Sequence, residues 1–198
     1  MTDRPTGAGR SSFDLINPGK LFSLLDLQPD TAFLDLASGS GRYALAAAET
    51  ITREGVVYAV DLWQEGIEAL RAEARARGMD QIIARVADVG EHIPVEDRAI
   101  DVCLIASALH DLVRERAQET AIREVTRVLK PKGIFAVLEF KKVPGSPGPP
   151  LEVRLAPADA EALVTGHGFN LIRTEEVGPY HYLSTFLLGQ PLGSEPDV

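Results

Sequence analysis

Phe33-Leu34-Asp35-Leu36-Ala37-Ser38-Gly39-Ser40-Gly41-Arg42-Tyr43-Ala44 is the stretch on which the fold turns. An apolar run ends near Asp35, two glycines follow, and an alanine-rich helical pattern starts at Arg42. Strand, glycine loop and helix in that order open a βαβ unit. Glycines there let the backbone turn sharply and let a ligand approach without meeting a Cβ. The helix that follows offers unpaired N–H groups and the positive end of its dipole. Asp61 ends the next strand pattern, at the place where a carboxylate accepts hydrogen bonds from both hydroxyls of a ribose.

On both sides of this unit the alternation continues. Upstream, residues 1–16 read as a flexible arm, and Asn17 caps a helix with Pro18 at its first position. Strands are expected at 31–36, 56–61, 81–87, 100–107 and 132–140, with helices at 42–53, 64–78 and 113–130. Strand and helix in alternation imply right-handed crossovers and a parallel sheet. The pattern then changes. Residues 141–150, KKVPGSPGPP, are a Pro/Gly-rich loop that fits neither a helix nor a central strand. A short helix at 158–168 follows. The runs 170–177 and 182–188, joined by Gly178-Pro179-Tyr180-His181, leave no room for a crossover and are therefore antiparallel. One domain, 17–189, is expected between the arm and a tail at 190–198.

The 198 residues suit one α/β domain with a full core. Cys103, the single cysteine, cannot form an internal disulfide, and no apolar stretch is long enough to span a bilayer. No signal peptide is visible, so a cytoplasmic protein is the expectation. A formal net charge of −9 argues against a nucleic-acid substrate. No paired His/Cys spacing suggests a metal site. The sequence does not fix the oligomeric state, and a homodimer is left open.

Two cofactor classes fit the glycine loop. Gly39-x-Gly41-x-x-Ala44 matches the dinucleotide fingerprint, so a nicotinamide-linked oxidoreductase is one reading. Asp35 separates the two. It stands where the cationic amino end of an S-adenosylmethionine (SAM) methionine would lie, and a carboxylate there would repel a pyrophosphate.

The run Asp35 to Gly41, DLASGSG, resembles motif I of the class I SAM-dependent methyltransferases, D-x-G-x-G-x-G, with Ala37 in place of the first glycine. Alanine fits there if its φ is negative. Tyr58-Ala59-Val60-Asp61-Leu62-Trp63 is similar to the segment that supplies the ribose carboxylate and the residue beside adenine. Arg85-Val86-Ala87-Asp88-Val89 is similar to the one whose acidic residue receives the adenine amine. The run 93–102 and the turn Leu129-Lys130-Pro131-Lys132-Gly133 resemble further family segments, in order and at family spacing. The similarity covers 31 to about 188, with the small-molecule, type 11 branch that includes quinone-biosynthesis methyltransferases as the nearest relatives. It implies a doubly wound, Rossmann-like seven-stranded sheet of order 3-2-1-4-5-7-6 with strand seven antiparallel. It also implies SAM as donor and S-adenosylhomocysteine (SAH) as product. Contacts to the cofactor are expected from Asp35, Ala37, Ser38, Gly39, Gly41, Asp61, Leu62, Trp63, Asp88, Val89 and Ser107.

Methyl transfer from a sulfonium releases a neutral thioether, so alignment and exclusion of water matter more than acid catalysis. A base is needed only where the acceptor carries a proton. The acceptor, expected to be a small molecule, belongs at the carboxyl ends of the fourth and fifth strands. His110 is the candidate base, since its unperturbed pKa lies near neutrality. Glu139 is a candidate for orienting an acceptor or for pairing with a nearby lysine. Tyr180 and His181 sit in the hairpin turn, read as turn decoration with a reach into the same pocket as the alternative, and 141–150 reads as a lid or a surface crossover. A SAM-binding protein without catalysis remains the third reading.

Overall fold

The computed structural model describes residues 8–189; the expected ends of the arm and the tail, 1–7 and 190–198, lie outside them. Seven strands form one sheet: β1 (Ala32–Leu36), β2 (Val56–Asp61), β3 (Ile82–Val86), β4 (Ile100–Ala106), β5 (Leu129–Phe140), β6 (Phe169–Glu176) and β7 (His181–Leu188). Their order is β3-β2-β1-β4-β5-β7-β6. The β1–β2, β1–β4, β2–β3 and β4–β5 pairs are parallel, and β7 runs antiparallel to both β5 and β6. This is the expected topology. The order reverses between β1 and β4, the switch point where a crevice opens at the carboxyl ends of the strands.

Among the described residues six α-helices flank the sheet: α1 (Pro18–Leu25), α2 (Arg42–Ala47), α3 (Gln64–Arg77), α4 (Leu109–Glu115), α5 (Gln118–Val128) and α6 (Pro157–Thr165). Each sheet face carries its own core. Leu34, Leu36, Ile105, Val125 and Phe186 belong to one, and Leu21, Phe33, Ala44, Ile67 and Leu104 to the other. β1 is buried at every position because both faces are covered. Asn17 caps α1 as expected, its side chain accepting the Lys20 N–H at 3.0 Å. Among the described residues no helix is long and apolar enough to cross a membrane.

Three expectations are corrected. The helix expected at 42–53 stops at Ala47, because the Thr50 and Ile51 N–H groups both turn back to the Ala47 carbonyl and Thr52 bonds to Pro29. The helix expected at 113–130 is two helices. Arg116 takes a left-handed φ of 61° and closes α4, with its N–H on Val113 and that of Ala117 on Leu112. No glycine or proline marks that break. Third, β5 starts at Leu129, before the Pro131–Gly133 turn. Leu129 pairs with Ile100, then Ile134 with Val102, so the turn is a bulge carried inside the strand.

Candidate active site

The glycine loop leaves β1 and is tied to its neighbours through carboxylates. Asp61, at the end of β2, accepts the Gly39 N–H on one oxygen and the Trp63 N–H on the other, each at 2.7 Å. Burial raises its pKa, and the two N–H groups oppose that rise. Asp35 is almost wholly buried, and its Oδ2 accepts the Ala44 N–H at 2.9 Å. Its Oδ1 has no partner, and neither has the buried Ser38 hydroxyl. Burial, with a smaller contribution from Asp61, pushes Asp35 up to about 8 against the Ala44 N–H. A buried carboxylate oxygen without a donor fits a ligand that brings a cation.

Gly41 has φ 73°, and a Cβ there would lie 2.3 Å from Leu70. Gly39, at φ 57°, has nothing within 4 Å of where its Cβ would be. Gly41 is therefore fixed by packing, while Gly39 faces open space for a ligand. Ala37 departs from expectation. Its φ is +56°, the left-handed region in which a Cβ is strained, so the negative φ under which alanine would fit is not found. Leu62 is half exposed beside Asp61, Asp88 turns one oxygen onto the Gly90 N–H at 2.8 Å, and Val89 is buried in the core. Val89 thus has only its backbone to offer a cofactor.

At the ends of β4 and β5 the two catalytic candidates meet. His110 sits in the first turn of α4 and Glu139 next to the end of β5. Their side chains are 5% and 0% exposed. The His110 Nδ1 lies 2.9 Å from both Glu139 oxygens. Glu139 also accepts the His110 and Phe140 backbone N–H groups, each at 3.1 Å. Burial works to lower the His110 pKa, but the Glu139 hydrogen bond and charge, aided by Asp111, outweigh it and the net shift is upward. With Nδ1 held as the donor, Nε2 is left as the titrating nitrogen.

Several residues of this region escape a sequence reading. Ser12, inside the expected arm, is buried. Its Oγ lies 2.8 Å from the Tyr43 hydroxyl and 2.9 Å from that of Ser107, which ties Ser107 to this chain of hydroxyls. His181 is not turn decoration. It opens β7, wholly buried, with its ring 4.1 Å from that of Phe140. Neither ring nitrogen has a hydrogen bond: the Leu15 backbone acts on the ring without reaching bonding geometry. Burial first, then Arg154, lowers its pKa to about 4, so His181 is neutral. Arg154 is buried too. It donates to the carbonyls of Lys141, Ser146, Pro147 and Pro149 and to the Ser146 hydroxyl, and stands over the Phe140 ring at 5.4 Å. The loop 141–150 is therefore wound around a guanidinium. A groove of about 610 Å³ at the opposite end of the sheet shares no lining residue with the glycine loop, Asp61 or the His110–Glu139 pair.

Residues 34–137 match the family model described as a methyltransferase domain. The chain is 27% identical over 164 residues to the ubiquinone/menaquinone biosynthesis C-methyltransferase UbiE of Shewanella oneidensis, across 83% of this chain and 62% of that protein. The protein of the same name from Cupriavidus pinatubonensis is 32% identical over 126 residues, across 63% and 50%. The chain thus spans roughly half to three-fifths of the length of these relatives. Among solved structures, a SAM-dependent methyltransferase from Aquifex aeolicus superposes with a TM-score of 0.82 at 23% identity, across 92% of this chain and 95% of that one. The [4+2]-cyclase SpnF shares the fold at a TM-score of 0.72 and 20% identity, across 87% and 81%. None of these similarities supports the nicotinamide-linked alternative. The glycine loop with its unpartnered Asp35 oxygen, Asp61 at the end of β2 and the match over 34–137 lead to one conclusion: the chain belongs to the class I SAM-dependent methyltransferases, with SAM as its cofactor.

Proposed function

We propose that the protein methylates a small acceptor that must give up a proton to react, and that His110 removes that proton. The observation that carries this reading is the buried His110–Glu139 pair at the carboxyl ends of β4 and β5. Asp35 would receive the methionine ammonium, Asp61 the ribose hydroxyls and Asp88 the adenine amine. Leu62 and Trp63 would flank the adenine. When bound, SAM supplies an electrophilic methyl group on a sulfonium.

Everything else falls to the chain's own residues. Glu139 fixes the His110 ring and stabilises its charged form as the proton arrives at Nε2. A hydroxyl or acidic C–H that gives up its proton becomes a nucleophile strong enough for in-line attack. Phe140, with the His181 ring tilted against it, makes an apolar wall that helps exclude water. The relatives named as C-methyltransferases of ubiquinone and menaquinone biosynthesis favour a hydroxylated aromatic acceptor: the hydroxyl proton goes to His110, a ring carbon attacks the methyl group, and that carbon then sheds its own proton as the ring regains its hydroxyl. The net charge of −9 supports a small acceptor over a nucleic acid. A cytoplasmic location and a single domain over 17–189 go with this reading, and sedimentation tests whether the protein is a homodimer.

The test is incubation with SAM and a panel of hydroxylated aromatic acceptors, read by mass spectrometry for one added methyl group. Transfer by the wild-type protein and its loss, by about 100-fold or more, in His110→Asn is the expected result for a general base. Transfer undiminished in His110→Asn would remove the base from the mechanism. SAH binding without transfer to any acceptor would leave a SAM-binding protein that does not methylate.

A further inference from the structure

The segment 12–17 crosses the carboxyl ends of the strands and is fastened at both ends. At its far end the Asn17 N–H bonds to the Val177 carbonyl at 2.6 Å. The β6–β7 turn lies against it there, since a Cβ on Gly178 would come within 2.8 Å of the Leu15 carbonyl. At the near end Ser12 bridges Tyr43 and Ser107. Tyr43 belongs to α2, the helix that the glycine loop opens; Ser107 directly follows β4, three residues before His110. One hydroxyl thus joins the cofactor side of the site to the acceptor side.

A second fastening lies outside the first. The Arg42 guanidinium holds both oxygens of Asp14, with Nη2 2.7 Å from Oδ1. The same guanidinium stands over the Phe13 ring at 4.7 Å, and that ring meets Tyr43 edge-on at 5.1 Å. Arg42 is the first residue after Gly41. The Asp14 side chain is 73% exposed and that of Arg42 38%. Exposed ion pairs add little net stability and weaken with salt. The inner contact is buried and the outer one is breakable, which is the arrangement of a strap with a latch.

We infer that residues 12–17 are a strap closing over the bound cofactor, latched by Asp14 on Arg42, and that opening the latch sets how fast the cofactor product leaves. The inference rests on the SAM-site reading. The strap contributes Ser12 to the site itself, so it is a positioning element as well as a cover.

The experiment measures SAH dissociation by surface plasmon resonance from the wild-type protein, Asp14→Arg, Arg42→Asp and the double exchange. Each single variant places like charges together and is expected to release SAH about fivefold faster. The double exchange restores the pair and is expected to return the rate to within about twofold of wild type. Raising salt should speed release from the wild-type protein and from the double exchange. Ligand-free melting temperatures of all four should agree, which separates a latch from a fold defect. Single variants that release SAH at the wild-type rate overturn the strap. So does a double exchange as fast as the singles, which would mean that Arg42 acts on the glycine loop directly. If the wild-type protein binds no SAH, the cofactor assignment falls, and the strap with it.

Discussion

Glu139 receives the Nδ1 of His110 between both of its carboxylate oxygens, each at 2.9 Å, from a side chain with no exposure to solvent. Two backbone N–H groups bond to the same carboxylate, so its orientation is fixed before any substrate arrives. The upward shift of His110 is thus a property of the resting protein, and an NMR titration should place its pKa above 6.5. In Glu139→Gln the charge is gone while the shape remains, and the pKa should fall. Linkage gives the sign for stability. A histidine raised in the folded state contributes stability that is full below its unfolded pKa and is lost as pH rises through the folded one. Glu139→Gln should therefore lower the melting temperature more at about pH 5.5 than at about pH 9. The base proposed for methyl transfer is the neutral ring, so the rate should climb with pH through an inflection above 6.5, and the variant should move that inflection down. A His110 titration unchanged by Glu139→Gln would deny the coupling.

Asp35, raised to about 8 by burial, should be largely protonated in the ligand-free protein at neutral pH. An ammonium against Oδ1 would draw that proton off. SAH should then bind more tightly as pH rises toward 8, with release of close to one proton near neutrality. Calorimetry in two buffers of different ionisation enthalpy reads this directly. Saturation at about 100 times the dissociation constant should add about 2.7 kcal/mol, or roughly 5–10 °C in melting temperature. The folded state binds the proton more tightly than the unfolded chain, so stability falls between about pH 4 and pH 8. Asp35→Asn removes that cost: it should melt about 2–4 °C higher than wild type without ligand, and bind no SAH. Binding without proton release would place the ammonium elsewhere.

Ala37 occupies a left-handed position at φ +56°, where the related motif carries glycine. A Cβ in that region costs about 1–2 kcal/mol. Ala37→Gly should raise the melting temperature by about 2–4 °C after the extra chain entropy of glycine is offset, with SAH affinity retained. A fall in melting temperature would show that the Ala37 methyl packs well enough to outweigh its strain.

The strand–helix alternation, the glycine loop and Asp61 were legible as local signals, namely apolar runs, glycines and a carboxylate at a strand end, whereas the sheet order followed from the family resemblance. His110 and Glu139 could be nominated separately but not joined, since 29 residues separate them and only the parallel pairing of β4 with β5 brings them together. The break at Arg116 was hidden because a non-glycine residue takes the left-handed turn. Ser12 carried no signal at all. Its role depends on a chain path that returns over the strand ends, and a serine in a polar arm reads like any other. His181 looked like part of a turn because strand boundaries are set by pairing, and Phe140 pairs with it.

Arg154 decides whether 141–150 can open as a lid. It is 3% exposed, its guanidinium donates only to neutral loop oxygens, and no carboxylate forms an ion pair with it among the described residues. A Cβ on Gly148 would lie 2.5 Å from the Phe140 ring, so the loop also packs directly on the wall of the acceptor region. Leaving several buried acceptors without donors costs about 1–3 kcal/mol each where water cannot reach them. A loop held this way is a fixed wall, and swinging it out would strip a buried charge of its partners. Hydrogen exchange should show the amides of Lys141, Val143 and Ser146, which donate to the Tyr180, Lys141 and Val143 carbonyls, protected in the wild-type protein before any ligand is added. Arg154→Met keeps the apolar stem and removes the donors. It should lose that protection locally and melt about 5 °C lower, while SAH affinity, set by the far side of the site, changes less than about twofold. Fast exchange of these amides in the wild-type protein would instead restore the lid, with Arg154 holding only its closed form.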